Sequence, residues 1–197
     1  MKIIFFIQSS TVNLRNYTIK NIPGSSGRLD VISRIILASM LRGNKLEKDV
    51  EIWVFLDNYG TFVFFSNDFN EESFPKNEIA LSDYFVKFIL KKQDHFNNNP
   101  LRNVKLVNTD IFNALKYYFD LNYQIFEMDE NGQDYYPIFN ELDQNSNLLF
   151  IIGNQTGEMI NSEELINYKI RRISLGIQSY LASSVIRLIK LNLRLLI

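Results

Sequence analysis

Cysteine is missing from this chain of 197 residues, and histidine occurs once, as His95. Disulfides, thiolate metal sites and multi-histidine zinc sites are thereby excluded, so no metal is expected. Long apolar runs are also lacking. The stretch from Met1 to Gln8 holds one lysine and five consecutive apolar residues, too few for a secretory core, and no run approaches the roughly twenty residues of a membrane helix. A cytoplasmic protein without a membrane partner is expected. What the chain has in quantity is apolar and aromatic residues, 46% and 14%, with sixteen Phe and ten Tyr. That content suits one domain over residues 1–197, since neither a repeat, a low-complexity segment nor a linker divides it.

The formal net charge is only −1, but the charge is segregated along the chain. From Tyr117 to Glu164 the residues include ten acidic and no basic side chains, whereas Leu165 to Ile197 carries Lys169, Arg171, Arg172, Arg187, Lys190 and Arg194 and no acid. If the two ends of the chain meet, a local basic surface could bind phosphates; a solvated acidic loop beside ordinary helix-face cations is the equal alternative.

The densest stretch runs from Leu148 to Gly176. Leu148 to Ile152 is continuously apolar and ends at Gly153, the pattern of a strand buried on both faces in a parallel sheet. Asn154, Gln155 and Thr156 lead to Gly157, and Lys169 to Leu175 gives a second strand closed by Gly176. Ligands of open α/β sheets gather beyond the carboxyl ends of the strands, so the turns after Ile152 and Leu175 are the candidate pocket. Plain glycine turns would leave the same sequence.

Nearer the start, Pro23, Gly24, Ser25, Ser26 and Gly27 precede Leu29, Ile32, Ile36 and Met40 at helical spacing, which predicts a helix from about Gly27 to Arg42. Its free N–H groups with Arg28 could hold a phosphate, and Asp30 would place a carboxylate beside it; opposing the helix dipole is the ordinary role for such an acid. Val50 to Leu56 and Thr61 to Ser66 read as a hairpin, Ser82 to Gln93 and Asp110 to Phe119 as helices, and Asn103 to Val107 and Gln124 to Met128 as strands. Asp129, Glu130, Asn131 and Gly132 form a strong turn, and Tyr135 to Asn147 reads as a flap or short helix. His95 reads as a surface residue without a role. The last helix, Ile177 to about Leu196, is apolar around most of its girth, which points to a partner helix from a second subunit and hence a homodimer; a terminal helix tightly buried within a monomer is the alternative.

Together, Ile22 to Asp30, Phe150-Ile151-Ile152-Gly153 with Gly157, Asp129-Glu130-Asn131-Gly132 and Arg172-Ile173-Ser174-Leu175 resemble the archaeal tRNA pseudouridine N1-methyltransferases of the SPOUT superfamily. The resemblance covers nearly the whole chain. It implies an α/β-knot, a parallel sheet with helices on both faces and a C-terminal trefoil knot, which is rare among folds. It also implies a homodimer that binds S-adenosyl-L-methionine and methylates N1 of pseudouridine 54 in the T-arm of tRNA. Carried over by motif, the cofactor loops contain Asn131 and Gly132; Ile152, Gly153 and Gly157; and Ser174, Leu175, Gly176 and Ile177. Asp30 and Arg28 become the catalytic candidates, and Arg28, Arg171 and Arg172 the RNA-binding ones, with the Arg171–Arg172 pair expected across the pocket mouth from Arg28. Asn154, Gln155, Gly176, Ile177 and Leu181 depart from the family pattern, so cofactor contacts are expected mainly through backbone groups. A catalytically silent RNA-binding relative and a dimeric scaffold without an RNA role are the alternatives.

Overall fold

The computed structural model describes residues 1–90, 98–143, 145–153 and 162–196. His95, Asn154, Gln155, Thr156 and Gly157 lie outside them.

Nine strands and seven helices are described. In chain order these are β1 (Ile3–Ser9), α1 (Ile22–Ser25), α2 (Leu29–Met40), β2 (Leu41–Arg42), β3 (Lys45–Leu46), β4 (Val50–Leu56), β5 (Gly60–Phe65), α3 (Glu78–Ile89), β6 (Lys105–Val107), α4 (Ile111–Asp120), β7 (Gln124–Asp134), α5 (Tyr135–Asn140), β8 (Leu148–Ile152), α6 (Ser162–Asn167), β9 (Arg171–Ser174) and α7 (Ala182–Leu196). Seven strands form one sheet in the order β6-β5-β4-β1-β8-β7-β9, and β2 and β3 pair separately. From β4 to β9 every neighbour is parallel; β5 and β6 add an antiparallel edge.

Alternation along the strands divides the apolar residues between two cores, because successive side chains point to opposite faces. Phe5, Ile52, Phe126 and Phe150 face α2, α3, α5 and α7, whereas Ile4, Phe6, Leu149 and Ile151 face α4. On the first face Phe150 sits between Phe5 and Phe126, with ring centroids 5.9 and 5.4 Å apart, and Phe139 of α5 closes the group. Burial on both faces explains why β8 reads as an unbroken apolar run.

Several boundaries differ from expectation for identifiable reasons. Helix α2 begins at Leu29 because Gly27 and Arg28 both adopt left-handed backbone, with φ of 59° and 71°. Helix α3 begins at Glu78, where the Asn77 side chain accepts the Ala80 N–H at 2.9 Å. Strand β7 continues through the expected turn, and its pairing with β9 shifts register between Met128 and Gln133. Helix α7 starts at Ala182, five residues later than expected. Gly176 has φ of 123°, the Ser174 hydroxyl bridges its N–H and C=O, and the first helical bonds are accepted by Leu181.

Candidate functional site

Strands β1, β7, β8 and β9 run parallel, and a cavity of about 530 Å³ lies at the carboxyl ends of β1, β8 and β9 and beside the part of β7 from Met128 onward. Gln8 and Ser9 line it from β1, Met128, Asp129 and Glu130 from β7, and Ile152 and Gly153 from the end of β8. Ser174, Leu175 and Gly176 contribute from β9 and the turn after it, and residues 178–183 pass along its rim before α7. The first turns of α2 complete the wall with Arg28, Val31, Ile32, Arg34 and Ile35. Helix α2 faces the strand ends because Leu29, Ile32, Ile36 and Met40 must bury one stripe against the sheet, which leaves the Arg28 and Arg34 side at the cavity.

The two walls present different charged groups, guanidinium groups on one side and carboxylates on the other. On the α2 side, the buried Asp30 carboxylate accepts from Arg28 Nε at 3.1 Å and from Arg34 Nη2 at 2.7 Å. Burial alone would raise the Asp30 carboxyl, but the hydrogen bonds and charges of Arg28 and Arg34 outweigh it and hold it below the ordinary carboxylate value. On the β7 side, Asp129 accepts the Asn131 N–H at 2.8 Å and stands 3.6 Å from Arg172, whose Nε also meets Glu127 at 2.7 Å. Asp129 and Glu130 thus present carboxylates to a cavity whose opposite wall presents guanidinium groups.

Of the residues singled out from the sequence, Arg28, Ile152, Gly153, Ser174, Leu175 and Gly176 come together around this cavity. Asp30 stands behind Arg28 and Arg34 and does not line it. Ile177 is fully exposed and outside it. Asn131, Gly132, Arg171 and Arg172 border a separate shallow recess with Gln133 and Ile170. The expectation that Arg171 and Arg172 face Arg28 across the pocket mouth is therefore corrected. Arg171 pairs in register with Phe126, well before the strand end, and its guanidinium lies 5.0 Å over that ring, while Arg172 is drawn to Glu127 and Asp129.

The expected glycine roles shift as well. Among the described residues a Cβ on Gly153 would meet only the Met128 carbonyl at 3.9 Å, so none of them fills the place of a side chain at the strand end. Gly132 has none, because a Cβ there would approach the β9 backbone at Ile173 to 2.7 Å. Gln8, Ser9, Arg34, Asp129 and Glu130 are among the lining residues that sequence reasoning did not assign to the pocket. The signal for Arg34 was present: it follows Asp30 by one helical turn and so shares its face.

Residues 1–195 match the model of a protein family described as "Putative SAM-dependent RNA methyltransferase". The chain belongs to this family. Among its relatives, the tRNA (pseudouridine(54)-N(1))-methyltransferase of Methanococcoides burtonii is 22% identical over 180 residues, covering 89% of this chain and 87% of the relative. The enzyme of the same name from Methanococcus aeolicus is 26% identical over 171 residues, covering 78% of each. The crystal structure of Archaeoglobus fulgidus Nep1 bound to S-adenosylhomocysteine superposes with a TM-score of 0.61 at 15% identity, covering 100% of this chain and 99% of that one. This last likeness is one of fold.

The cavity fits the family's methyl donor. Its volume lies within the range of about 300–1,000 Å³ usual for small-molecule sites, and Ile32, Ile152, Ile173 and Val185 give it an apolar lining. S-adenosylmethionine is a zwitterion with an added sulfonium charge, and a cavity with guanidinium groups on one wall and carboxylates on the other offers partners to both signs. No group of three or more residues able to hold a metal ion occurs among the described residues, and none of their helices is long and apolar enough to cross a membrane.

Proposed function

We propose that this chain methylates N1 of the pseudouridine at position 54 in the T-loop of tRNA, using S-adenosylmethionine. One observation carries the reading: a cavity with guanidinium groups on one wall and carboxylates on the other stands at the carboxyl ends of β1, β8 and β9 and beside β7 after Met128, in a chain whose relatives carry that activity as their name. Bound S-adenosylmethionine supplies an electrophilic methyl group. The remaining tasks are positioning, exclusion of water and removal of the proton that N1 of pseudouridine loses as it attacks.

In this reading, backbone groups of Gly153 and of Ser174 to Gly176 hold the donor, with Ile152 beneath it, and Ile177, outside the cavity, takes no part in holding it. Gly157 belongs to the same proposed loop but lies outside the described residues. Gly132 and Asn131 act at one remove: Gly132 seats β7 against β9, and the Asn131 N–H fixes Asp129. The carboxylates with access to a nucleobase in the cavity are Asp129 and Glu130, and the N1 proton passes to one of them. Asp30 serves the reaction through Arg28, which meets the RNA at the cavity mouth. Arg171 and Arg172 meet RNA only outside the cavity.

The reading extends to the assembly and the chain path. Ile177, Leu181, Leu191 and Leu195 are exposed at and before α7, which supports a homodimer formed on that face. The strand order, with β8 inserted between β1 and β7 and β9 beyond β7, supports a C-terminal trefoil knot of the SPOUT type within one domain over residues 1–197. A tRNA-modifying enzyme of this kind acts in the cytoplasm.

Methyl transfer from labelled S-adenosylmethionine to two T-arm hairpins, one with pseudouridine and one with uridine at position 54, tests the reaction. Label in the pseudouridine hairpin alone is expected. Equal label in both rejects the target, and RNA binding without transfer to either would make the chain a silent RNA-binding relative.

A further inference from the structure

The charged group at the start of α2 contains Arg34, which lines the cavity and which the proposed reaction leaves unused. Asp30 is 3% exposed, and its two oxygens accept three bonds: Arg28 Nε at 3.1 Å, Arg28 Nη2 at 3.3 Å and Arg34 Nη2 at 2.7 Å. A carboxylate this deeply buried is costly unless paired, and here the pairing fixes two guanidinium groups against one anchor. Both arginines line the cavity and remain partly exposed, at 48% and 37% of their side chains. Each keeps its Nη1 group directed to no protein acceptor among the described residues.

The backbone adds an independent observation. Arg28 has φ of 71° and ψ of 33°, a left-handed conformation uncommon for a side chain of this size. It is held there by its neighbours: the Thr11 hydroxyl donates to the Gly27 carbonyl at 2.9 Å, the Asn13 N–H donates to Ser26, and a Cβ on Gly27 would collide with the Thr11 carbonyl. Strain that the surroundings enforce this firmly collects at functional sites. Its effect is to turn the Arg28 guanidinium back over Asp30, beside that of Arg34.

We propose that Arg34 and Arg28 form a two-arginine fork, set by Asp30 as a positioning residue, which takes a backbone phosphate of the RNA next to the nucleoside in the cavity. The proposal rests on the RNA-methylation reading above. Paired guanidinium groups recognise phosphate by directed N–H donors as well as by charge. Glu78 on α3 bears on this directly, because its exposed carboxylate meets Arg34 Nε at 3.1 Å. With Glu78 the two arginines and two acids sum to zero charge, so the fork works at contact range, and an arriving phosphate competes with Glu78 for Arg34.

The test uses the full chain, a pseudouridine-containing T-arm hairpin and S-adenosylhomocysteine. Arg34→Ala should weaken hairpin binding by about tenfold, the effect of losing one charge-assisted hydrogen bond. The slope of affinity against salt should fall by about one. In steady state the loss should fall on KM rather than kcat, and calorimetric affinity for S-adenosylhomocysteine should match the parent. Glu78→Gln should tighten hairpin binding, which a merely structural ion pair would not do. Asp30→Asn should weaken hairpin binding at least as much as Arg34→Ala, and adding Arg34→Ala to it should cost less than in the parent. Should Asp30→Asn fail to fold, Arg34→Ala and Glu78→Gln decide the matter. Parental hairpin affinity and salt slope in Arg34→Ala overturn the fork alone, as does a loss confined to S-adenosylhomocysteine binding. Failure of the parent to bind the hairpin overturns the RNA reading with it.

Discussion

Gly132 and Gly153 look alike in the sequence, each closing a polar or apolar run, yet the structure separates them. Gly132 presses its Cα against the β9 backbone, where an added Cβ would come within 2.7 Å of Ile173, whereas a Cβ on Gly153 would meet nothing nearer than 3.9 Å among the described residues. Overpacking against backbone cannot be relieved by a rotamer change. Gly132→Val should therefore cost about 1–3 kcal/mol or more, while Gly153→Val should melt within about 0.5 kcal/mol of the parent, as substitutions away from packed sites do. Chemical denaturation of both variants checks this, and equal losses would refute it. Asp30 and Arg28 are legible in the sequence as a charged pair at a helix start, but the left-handed backbone that folds Arg28 onto Asp30 is not. No local sequence rule assigns positive φ to arginine, and what imposes it is the packing of Gly27 on Thr11, sixteen residues upstream.

At the scale of elements, helix α7 is tied to α2 by a buried cation. Lys190 donates from Nζ to the carbonyls of Ala38, Ser39 and Leu41 at 2.7–3.0 Å, which occupies acceptors at the end of α2, and it pairs with Glu47 at 2.7 Å. Burial lowers its pKa, opposed by Glu47, whose own carboxyl is held below the ordinary value by Lys190 and Arg194 against the effect of burial. Removing one partner of such a set leaves Glu47 and three carbonyls short of a donor. Lys190→Ala should destabilise the fold by about 3–5 kcal/mol, read as a fall in the denaturation midpoint; a change under about 1 kcal/mol would mean that water replaces the ammonium. The strands were the legible part of the fold, since β1, β4 and β8 announce themselves by apolar content and by the polar segments after them, whereas only the first half of β7 does so. The start of α7 was not legible, because Ile177 and Leu181 continue the apolar pattern of the helix although Gly176 has already broken the backbone. The short α6 carries no periodic signal long enough to read.

Over the whole molecule, the segregation of charge along the sequence largely dissolves in space. Arg172 reaches Glu127 in the acidic middle, Lys190 and Arg194 reach Glu47, and Lys2 reaches Glu51. A broad basic surface made by the two chain ends therefore does not form from these residues, and the cations left facing the cavity are those of α2. The apolar excess is different, because Ile177, Leu181, Leu191 and Leu195 remain exposed near one another in sequence. If a second copy covers them, light scattering at micromolar concentration should give twice the chain mass, and Leu191→Glu with Leu195→Glu should give a folded monomer. A monomeric parent over that range would contradict the dimer.

The central claim is that the cavity at the ends of β1, β8 and β9 and beside β7 holds the methyl donor. Calorimetric titration of S-adenosylhomocysteine into the parent and into Gly153→Val tests it most directly, because the substitution places a side chain in the cavity at a point that none of the described residues fills. One saturable site per chain in the parent, with binding lost in a variant that melts like the parent, is the predicted result. No binding by the parent, or equal affinity in the two proteins, would contradict the account.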